Sequence, residues 1–290
     1  MNFFYALLLG LIQGLTEFLP ISSTAHLTLA GKLLGLVESG TPEAWTAFIA
    51  VIQLGTVTAV IVYFWKDLVR MVIATWSLLT TGGYRKPFKE WPLDARLAAA
   101  IVVGSVPVAL VGFTARHIIE GALTKSIPVI TGSLVVLAAI LWLAEKIAAH
   151  KRTLDQLTLL DGFLIGIAQT MALVPGSSRS GTTITGGLLL GLTREGAARF
   201  SFLLSIPAVV GSGFFELAEI YKMGNAGAHL FTFGTDSLVI ATLVAGITGY
   251  AAIAWLLRYL ATNTTMVFVW YRILLGLALV TLLMTHTINP

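Results

Sequence analysis

Apolar residues fill this 290-residue chain in long blocks, and the polar positions collect in short breaks between them. An apolar helix needs about 20 residues to cross about 30 Å of hydrocarbon. Six blocks are long enough, near 45–65, 96–114, 127–146, 199–221, 237–258 and 266–286. Four others, about 3–19, 24–37, 162–174 and 182–192, hold 11 to 17 residues and reach only about 17 to 25 Å. These short blocks form two pairs, each meeting at a Ser-rich break, as in a helix hairpin that enters a membrane, turns, and leaves on the side it came from. The block 67–81, with Lys66 and Arg70 at one end, fits either an amphipathic surface helix or an inserted one.

The pattern repeats. Gly10-x-x-Gln13 with Pro20-x-Ser22-Ser23 recurs as Gly166-x-x-Gln169 with Pro175-x-Ser177-Ser178, and Phe48 and Phe200 open the long blocks that follow. A duplication accounts for this, with repeat 1 over about 1–147 and repeat 2 over about 158–290 of a single integral membrane domain. Each repeat holds one re-entrant pair and three crossings. Three is odd, so the repeats are inverted and both broken helices point at a shared site near mid-membrane. The predicted fold class is an all-α polytopic membrane protein with six transmembrane helices and two re-entrant pairs.

Composition agrees, because 57% hydrophobic and 11% charged residues leave more apolar surface than a soluble globule of this size buries. No basic stretch precedes the first block and no small-residue cleavage site follows it, so that block is expected to stay in the fold. The chain has no cysteine, which excludes disulfides, thiolate nucleophiles and Cys-ligated metals. The longest polar stretch, Gly82 to Arg96, is too short for a soluble domain. The net charge of +4 matters through its placement and does not point to nucleic acid. On this topology thirteen Lys/Arg fall on one face (Lys66, Arg70, Arg85, Lys86, Lys89, Arg96, Lys146, Lys151, Arg152, Arg194, Arg199, Arg258, Arg272). Lys32, Arg116, Lys125 and Lys222 fall on the other. The basic face is therefore expected to be cytoplasmic, with both termini outside.

The two breaks carry the candidate chemistry. A charged group inside a helix bundle costs about 2.5 to 3.5 kcal/mol, more than an ordinary ion pair returns, so Glu17 and Arg179 call for a functional role. Arg179 offers a planar fork for phosphate oxygens, and Ser177, Ser178, Ser180, Thr182 and Thr183 surround it with hydroxyls at the start of a half-helix. In the first break Gln13 and Glu17 share a helix face with an opening toward Ser22, Ser23, Thr24 and His26. A carboxylate beside an amide oxygen suits Mg²⁺, which binds through one or two carboxylates together with substrate phosphates. His26 is placed to relay a proton to or from Ser23, or to attack phosphorus itself.

Gln13-Gly14-Leu15-Thr16-Glu17-Phe18-Leu19-Pro20, followed by Ser22-Ser23-Thr24-Ala25-His26, resembles the (Glu/Gln)-x-x-x-Glu and Ser-Ser-Thr-Gly-His motifs of the bacterial undecaprenyl-diphosphatases associated with bacitracin resistance. Pro175-Gly176-Ser177-Ser178-Arg179-Ser180-Gly181-Thr182-Thr183 is similar to their Pro-Gly-x-Ser-Arg-Ser-x-x-Thr motif throughout, and the likeness runs nearly end to end. Gln13 stands where many relatives have Glu, which leaves one carboxylate in the first motif, and Ala25 replaces the usual Gly.

The resemblance implies six spanning helices with two re-entrant pairs and a divalent cation, Mg²⁺ or Ca²⁺, with Glu17 and Gln13 as its candidate ligands. It implies Glu17, Ser23, His26 and Arg179 as catalytic residues, and Ser178 and Thr183 as phosphate ligands; the nucleophile stays open among Ser23, His26 and water. Ser22, Thr24, Ser177, Ser180 and Gln13 complete the expected binding set. The expected reaction removes the terminal phosphate of undecaprenyl pyrophosphate at the outer face of a bacterial inner membrane and recycles the lipid carrier for peptidoglycan synthesis. Inverted repeats around broken helices also suit a secondary transporter or flippase for a phosphorylated polyprenyl lipid, and half-helix termini suit an anion channel. Glu17 with Ser23 and His26 favours hydrolysis over both. A Gly surface including Gly246 and Gly249 leaves a homodimer open.

Overall fold

A computed structural model describes residues 1–36, 42–115, 126–222 and 234–285. Arg116 and Lys125 of the charge count lie outside them, as do the last five residues. Among the described residues the chain is helical, with α1 Phe3–Phe18, α2 Ser23–Leu33, α3 Pro42–Tyr63, α4 Trp65–Thr80, α5 Leu93–Thr114, α6 Ile127–Ile147, α7 Leu159–Thr170, α8 Arg179–Leu189, α9 Arg194–Lys222, α10 Thr235–Thr262 and α11 Met266–Met284. Five stretches (Leu93–Thr114, Ile127–Ile147, Arg194–Gly213, Thr235–Thr262 and Met266–Met284) are long and apolar enough to cross a membrane, and the bent pair α3/α4 supplies up to one more. This is a multi-pass membrane protein.

The pair α3/α4 breaks by 67° at Phe64. Beyond the break α4 exposes Val72, Ile73, Trp76 and Leu79 and carries Lys66, Asp67 and Arg70. The four short blocks become α1 with α2 and α7 with α8, and a 3₁₀ turn at Met171–Leu173 closes the end of α7. Each pair breaks at the Ser-rich segment.

The packing interlocks the two halves of the chain. Helix α1 lies along α10, and α7 along α5, so the first helix of each short pair packs on a long apolar helix from the other half. Glycine makes this approach possible. A Cβ at Gly10 would stand 2.5 Å from the Ala241 carbonyl oxygen of α10, and one at Gly166 would stand 2.1 Å from the Gly104 carbonyl oxygen of α5. Gly246 and Gly249 serve the same interior packing: they approach Gly55 and Phe18 and do not form the lipid-facing surface the sequence suggested for a dimer.

Ion pairs tie one end of the bundle together. Arg194 at the start of α9 donates to Glu145 in α6 at 2.5 Å, and Glu145 also accepts from the Thr265 hydroxyl at 2.7 Å. Arg199 meets Asp67 at 2.7 Å. Arg152 meets Asp161 at 2.6 Å, a hydrogen bond that raises the Arg152 pKa above its ordinary value. Arg272 departs from the sequence reading, because it belongs to no basic face. It sits within α11 with no exposed surface.

Candidate active site

Both short helix pairs restart from a serine in left-handed backbone. Ser22 has φ 74° and caps α2 by accepting from the Ala25 N–H, and Ser178 has φ 68° and caps α8 by accepting from the Gly181 N–H. Such a conformation costs a non-glycine residue about 1 to 3 kcal/mol. It occurs at the matched positions of the two motifs and, among the described non-glycine residues, at one other place, His150. The strain turns the chain sharply enough to bring two helix N-termini to one spot.

Glu17 lies at that spot, buried at the end of α1. One of its oxygens, Oε2, accepts from Ser23 Oγ at 2.7 Å and from Gln13 Nε2 at 3.2 Å. The other, Oε1, accepts from Arg179 and from Gln53 Nε2 at 3.4 Å. The Glu17–Arg179 ion pair joins positions 162 residues apart, so the two turns converge on one site. Ser180 reinforces the junction by donating to the Leu19 carbonyl at 3.0 Å.

A cavity of about 200 Å³ opens beside the pair. Its polar lining is Glu17, Ser22, Ser23, Thr24 and Gln53 from the first half of the chain, with Gln169, Ser178, Arg179 and Ser212 from the second. Val108, Ala172, Leu173, Val174 and Ala208 supply most of its apolar wall. The starts of both α2 and α8 face into it, and unpaired backbone N–H groups at a helix start favour an anion.

The remaining predicted residues lie in packing around this core. Ser177 and Ser180 are buried behind the lining, and Thr183 donates to the Arg179 carbonyl at 2.8 Å and meets Ser201 at 2.5 Å. Gln13 is fully packed, and its Oε1 meets no protein donor. His26 is one helical turn past Ser22, outside the cavity lining. Its Nδ1 is 2.7 Å from the Ser22 carbonyl and its Nε2 is 2.6 Å from the Tyr271 hydroxyl. A carbonyl only accepts, so Nδ1 carries the proton and Nε2 of the neutral ring accepts from Tyr271. Both nitrogens are occupied, and the ring stacks on Tyr271 at 9° between planes.

Five polar residues escaped the sequence reading as parts of the site: Gln53, Gln169, Ser212, Tyr271 and Arg272. Arg272 binds both turns from behind. Its Nη1 donates to the Pro20 carbonyl at 3.4 Å, and its Nη2 to those of Ser177 at 3.1 Å and Gly176 at 3.4 Å, with a weaker reach to Ser133. Nε donates to Leu134 at 3.2 Å. A Cβ at Gly181 would stand 2.8 Å from Arg272 Nη1. Gly181→Ala is therefore expected to push this guanidinium off the turns and lower the melting temperature by several degrees in detergent, as unfolding followed by intrinsic fluorescence would register.

Oxygen donors for a divalent cation include Glu17, the Gln13 and Gln169 Oε1 atoms, neither of which meets a protein donor, and neighbouring hydroxyls. Among the described residues no group of three His, Cys, Asp or Glu comes together as a cage. That donor set fits a cation completed by substrate phosphate oxygens and waters.

A family model described as bacitracin resistance protein BacA matches residues 6–278. The chain is 50% identical over 289 residues to the undecaprenyl-diphosphatase of Syntrophobacter fumaroxidans, covering 99% of each chain. It is 51% identical over 290 residues to that of Myxococcus xanthus, covering 100% of this chain and 92% of the relative. Identity to the undecaprenyl-diphosphatase of Renibacterium salmoninarum is 47% over 284 residues, covering 98% and 96%.

Proposed function

We propose that this chain, which belongs to the bacitracin resistance protein BacA family, is an undecaprenyl-diphosphatase that releases inorganic phosphate from undecaprenyl diphosphate and returns the monophosphate carrier to cell-envelope synthesis. One observation carries the mechanism: Ser23 Oγ donates to the same Glu17 carboxylate that holds Arg179. Without substrate, the site neutralises its own buried charges. A diphosphate head brings several negative oxygens and competes for Arg179 and the N-termini of α2 and α8. Arg179 moving to phosphate leaves Glu17 free to accept the Ser23 proton.

Ser23 Oγ then attacks the terminal phosphorus as the bond to the bridging oxygen breaks, and the lipid monophosphate departs. Glu17 passes the Ser23 proton to the departing monophosphate and, a carboxylate again, takes a proton from water as that water attacks the phosphoserine. The proton returns to Ser23 Oγ as the P–O bond breaks and phosphate leaves. A divalent cation held by Glu17 and Gln13 Oε1 would neutralise charge on the phosphate oxygens. His26, tied to Ser22 and Tyr271, orients the α2 start and with it Ser23.

The repeated left-handed serines and the reciprocal packing of α1 on α10 and α7 on α5 support an inverted repeat of about 1–147 and 158–290. The cavity wall at Val108, Ala208 and Ser212 lies at or past the midpoints of α5 and α9, away from the ion-paired, basic end. With that end cytoplasmic, the site opens outward and the headgroup enters from the outer leaflet. The same architecture serves transporters, but a lipid carrier has no use for the Ser23–Glu17 contact.

The test is phosphate release from a prenyl diphosphate by purified protein with a divalent cation, accompanied by a rapid acid quench. Wild type is expected to form acid-stable phosphoprotein that disappears in Ser23→Ala along with turnover. Full turnover by Ser23→Ala would remove the serine from the mechanism. Tyr271→Phe keeps the stack but loses the donor to His26, and is expected to lower kcat roughly tenfold with KM little changed, the size of one positioning hydrogen bond.

A further inference from the structure

Gln169 has no place in the mechanism above. It has no exposed surface, it lines the cavity, and neither Nε2 nor Oε1 meets a protein partner. Its repeat counterpart, Gln13, has Glu17 four residues on and donates to it. Four residues past Gln169 stands Leu173, another lining residue. The second half of the chain thus keeps the amide and lacks the carboxylate that would satisfy it, in a wall whose other nearby members, Ala172, Leu173 and Val174, offer no polar side chain.

A buried amide without partners weakens the fold, and a leucine there would cost nothing in hydrogen bonds. Retaining the amide is understandable when a ligand completes it. We propose that Gln169 is a phosphate-contacting residue: its amide N–H donates to an oxygen of the bound diphosphate after that oxygen has left water. Gln53, which also lines the cavity and holds Glu17 only at 3.4 Å, flanks the same space with a second neutral donor. Neutral amides suit this wall because they bind phosphate without adding to the positive charge that Arg179 supplies, so product is not held too tightly to leave. The assignment rests on the phosphatase reading and deepens it.

The experiment compares wild type with Gln169→Leu and Gln169→Glu in detergent, using farnesyl methylenediphosphonate as a non-hydrolysable probe and thermal unfolding as a second readout. Gln169→Leu is expected to bind the probe about tenfold more weakly, the loss of one hydrogen bond to a charged group. Gln169→Glu should bind more weakly still through repulsion. Empty Gln169→Leu should melt at or above the wild-type temperature while showing a smaller rise on adding probe. Wild-type affinity in Gln169→Leu, or a lower melting temperature of its empty form, would overturn the assignment by making the residue a packing element. Wild type that neither binds the probe nor releases phosphate would instead reject the phosphatase reading itself.

Discussion

Arg179→Met is expected to lower kcat/KM for a prenyl diphosphate by about 10³-fold or more, as loss of a guanidinium from a phosphoryl-transfer site generally does. Glu17→Gln should fall by a comparable factor. The two single variants should also be less stable than wild type in the absence of substrate. In the empty site Glu17 and Arg179 neutralise each other, with side chains only 6% and 17% exposed, and removing one leaves the other as an uncompensated buried charge. That costs about 3 to 5 kcal/mol. The double variant Glu17→Gln/Arg179→Met removes both charges and should recover most of this stability while remaining inactive. Thermal unfolding in detergent and phosphate release, run on all four proteins, separate the two effects. Additive loss of stability in the double variant would show that the pair does not form.

The second large effect is expected at Arg272. Its guanidinium donates to the carbonyls of Pro20, Gly176 and Ser177 and so bolts the first turn to the second. Arg272→Met fills similar space but strips those carbonyls of their donor, leaving buried acceptors unsatisfied at about 1 to 3 kcal/mol each before relaxation. A loss of about 3 to 5 kcal/mol in total is expected, on the scale of breaking a buried charged network, with activity falling because Ser23 and Arg179 lose their registration. Arg272→Lys retains the charge without the planar fork and should lie between the two. Wild-type activity in Arg272→Met, in protein that still folds, would remove the bolt from the account.

The architecture was legible because hydrocarbon imposes a length on every crossing helix and penalises every polar break. The blocks near 96–114, 127–146 and 266–286 became α5, α6 and α11 with boundaries shifted by a few residues. The Ser-rich breaks stood out for the same reason, and the charges Glu17 and Arg179 within them proved to be one ion pair. Single polar residues inside an apolar block gave no such warning. Gln53 lies eight residues into a predicted crossing, and Tyr271-Arg272 follows Val-Phe-Val-Trp so near a helix start that Arg272 was counted with the basic loops. The insertion penalty for an arginine at that depth is the signal in the sequence that Arg272 belongs to the interior.

His26 shows the opposite limit. Its chemistry is evident from its residue type, but its partner Tyr271 is 245 positions away, and no local pattern indicates that both ring nitrogens are engaged. Hydroxyl counting likewise overstated the phosphate cradle. Ser180 and Thr183 sit within the motif, yet their hydroxyls bond to the backbone of the neighbouring turn and of their own helix. A motif marks where the chain turns, and only packing decides which of its side chains face the cavity.

The central claim is that the start of α2 and the start of α8 face one small chamber that receives a diphosphate. The chain has no native cysteine, so Ser22→Cys and Ser178→Cys, placed together, give an unambiguous cross-linking pair. A short bis-thiosulfonate reagent is expected to join the two thiols within a single chain, and farnesyl methylenediphosphonate is expected to block the reaction. Thiols that each react with a small monofunctional reagent but never join to each other, or that join equally well with the diphosphonate present, would contradict it.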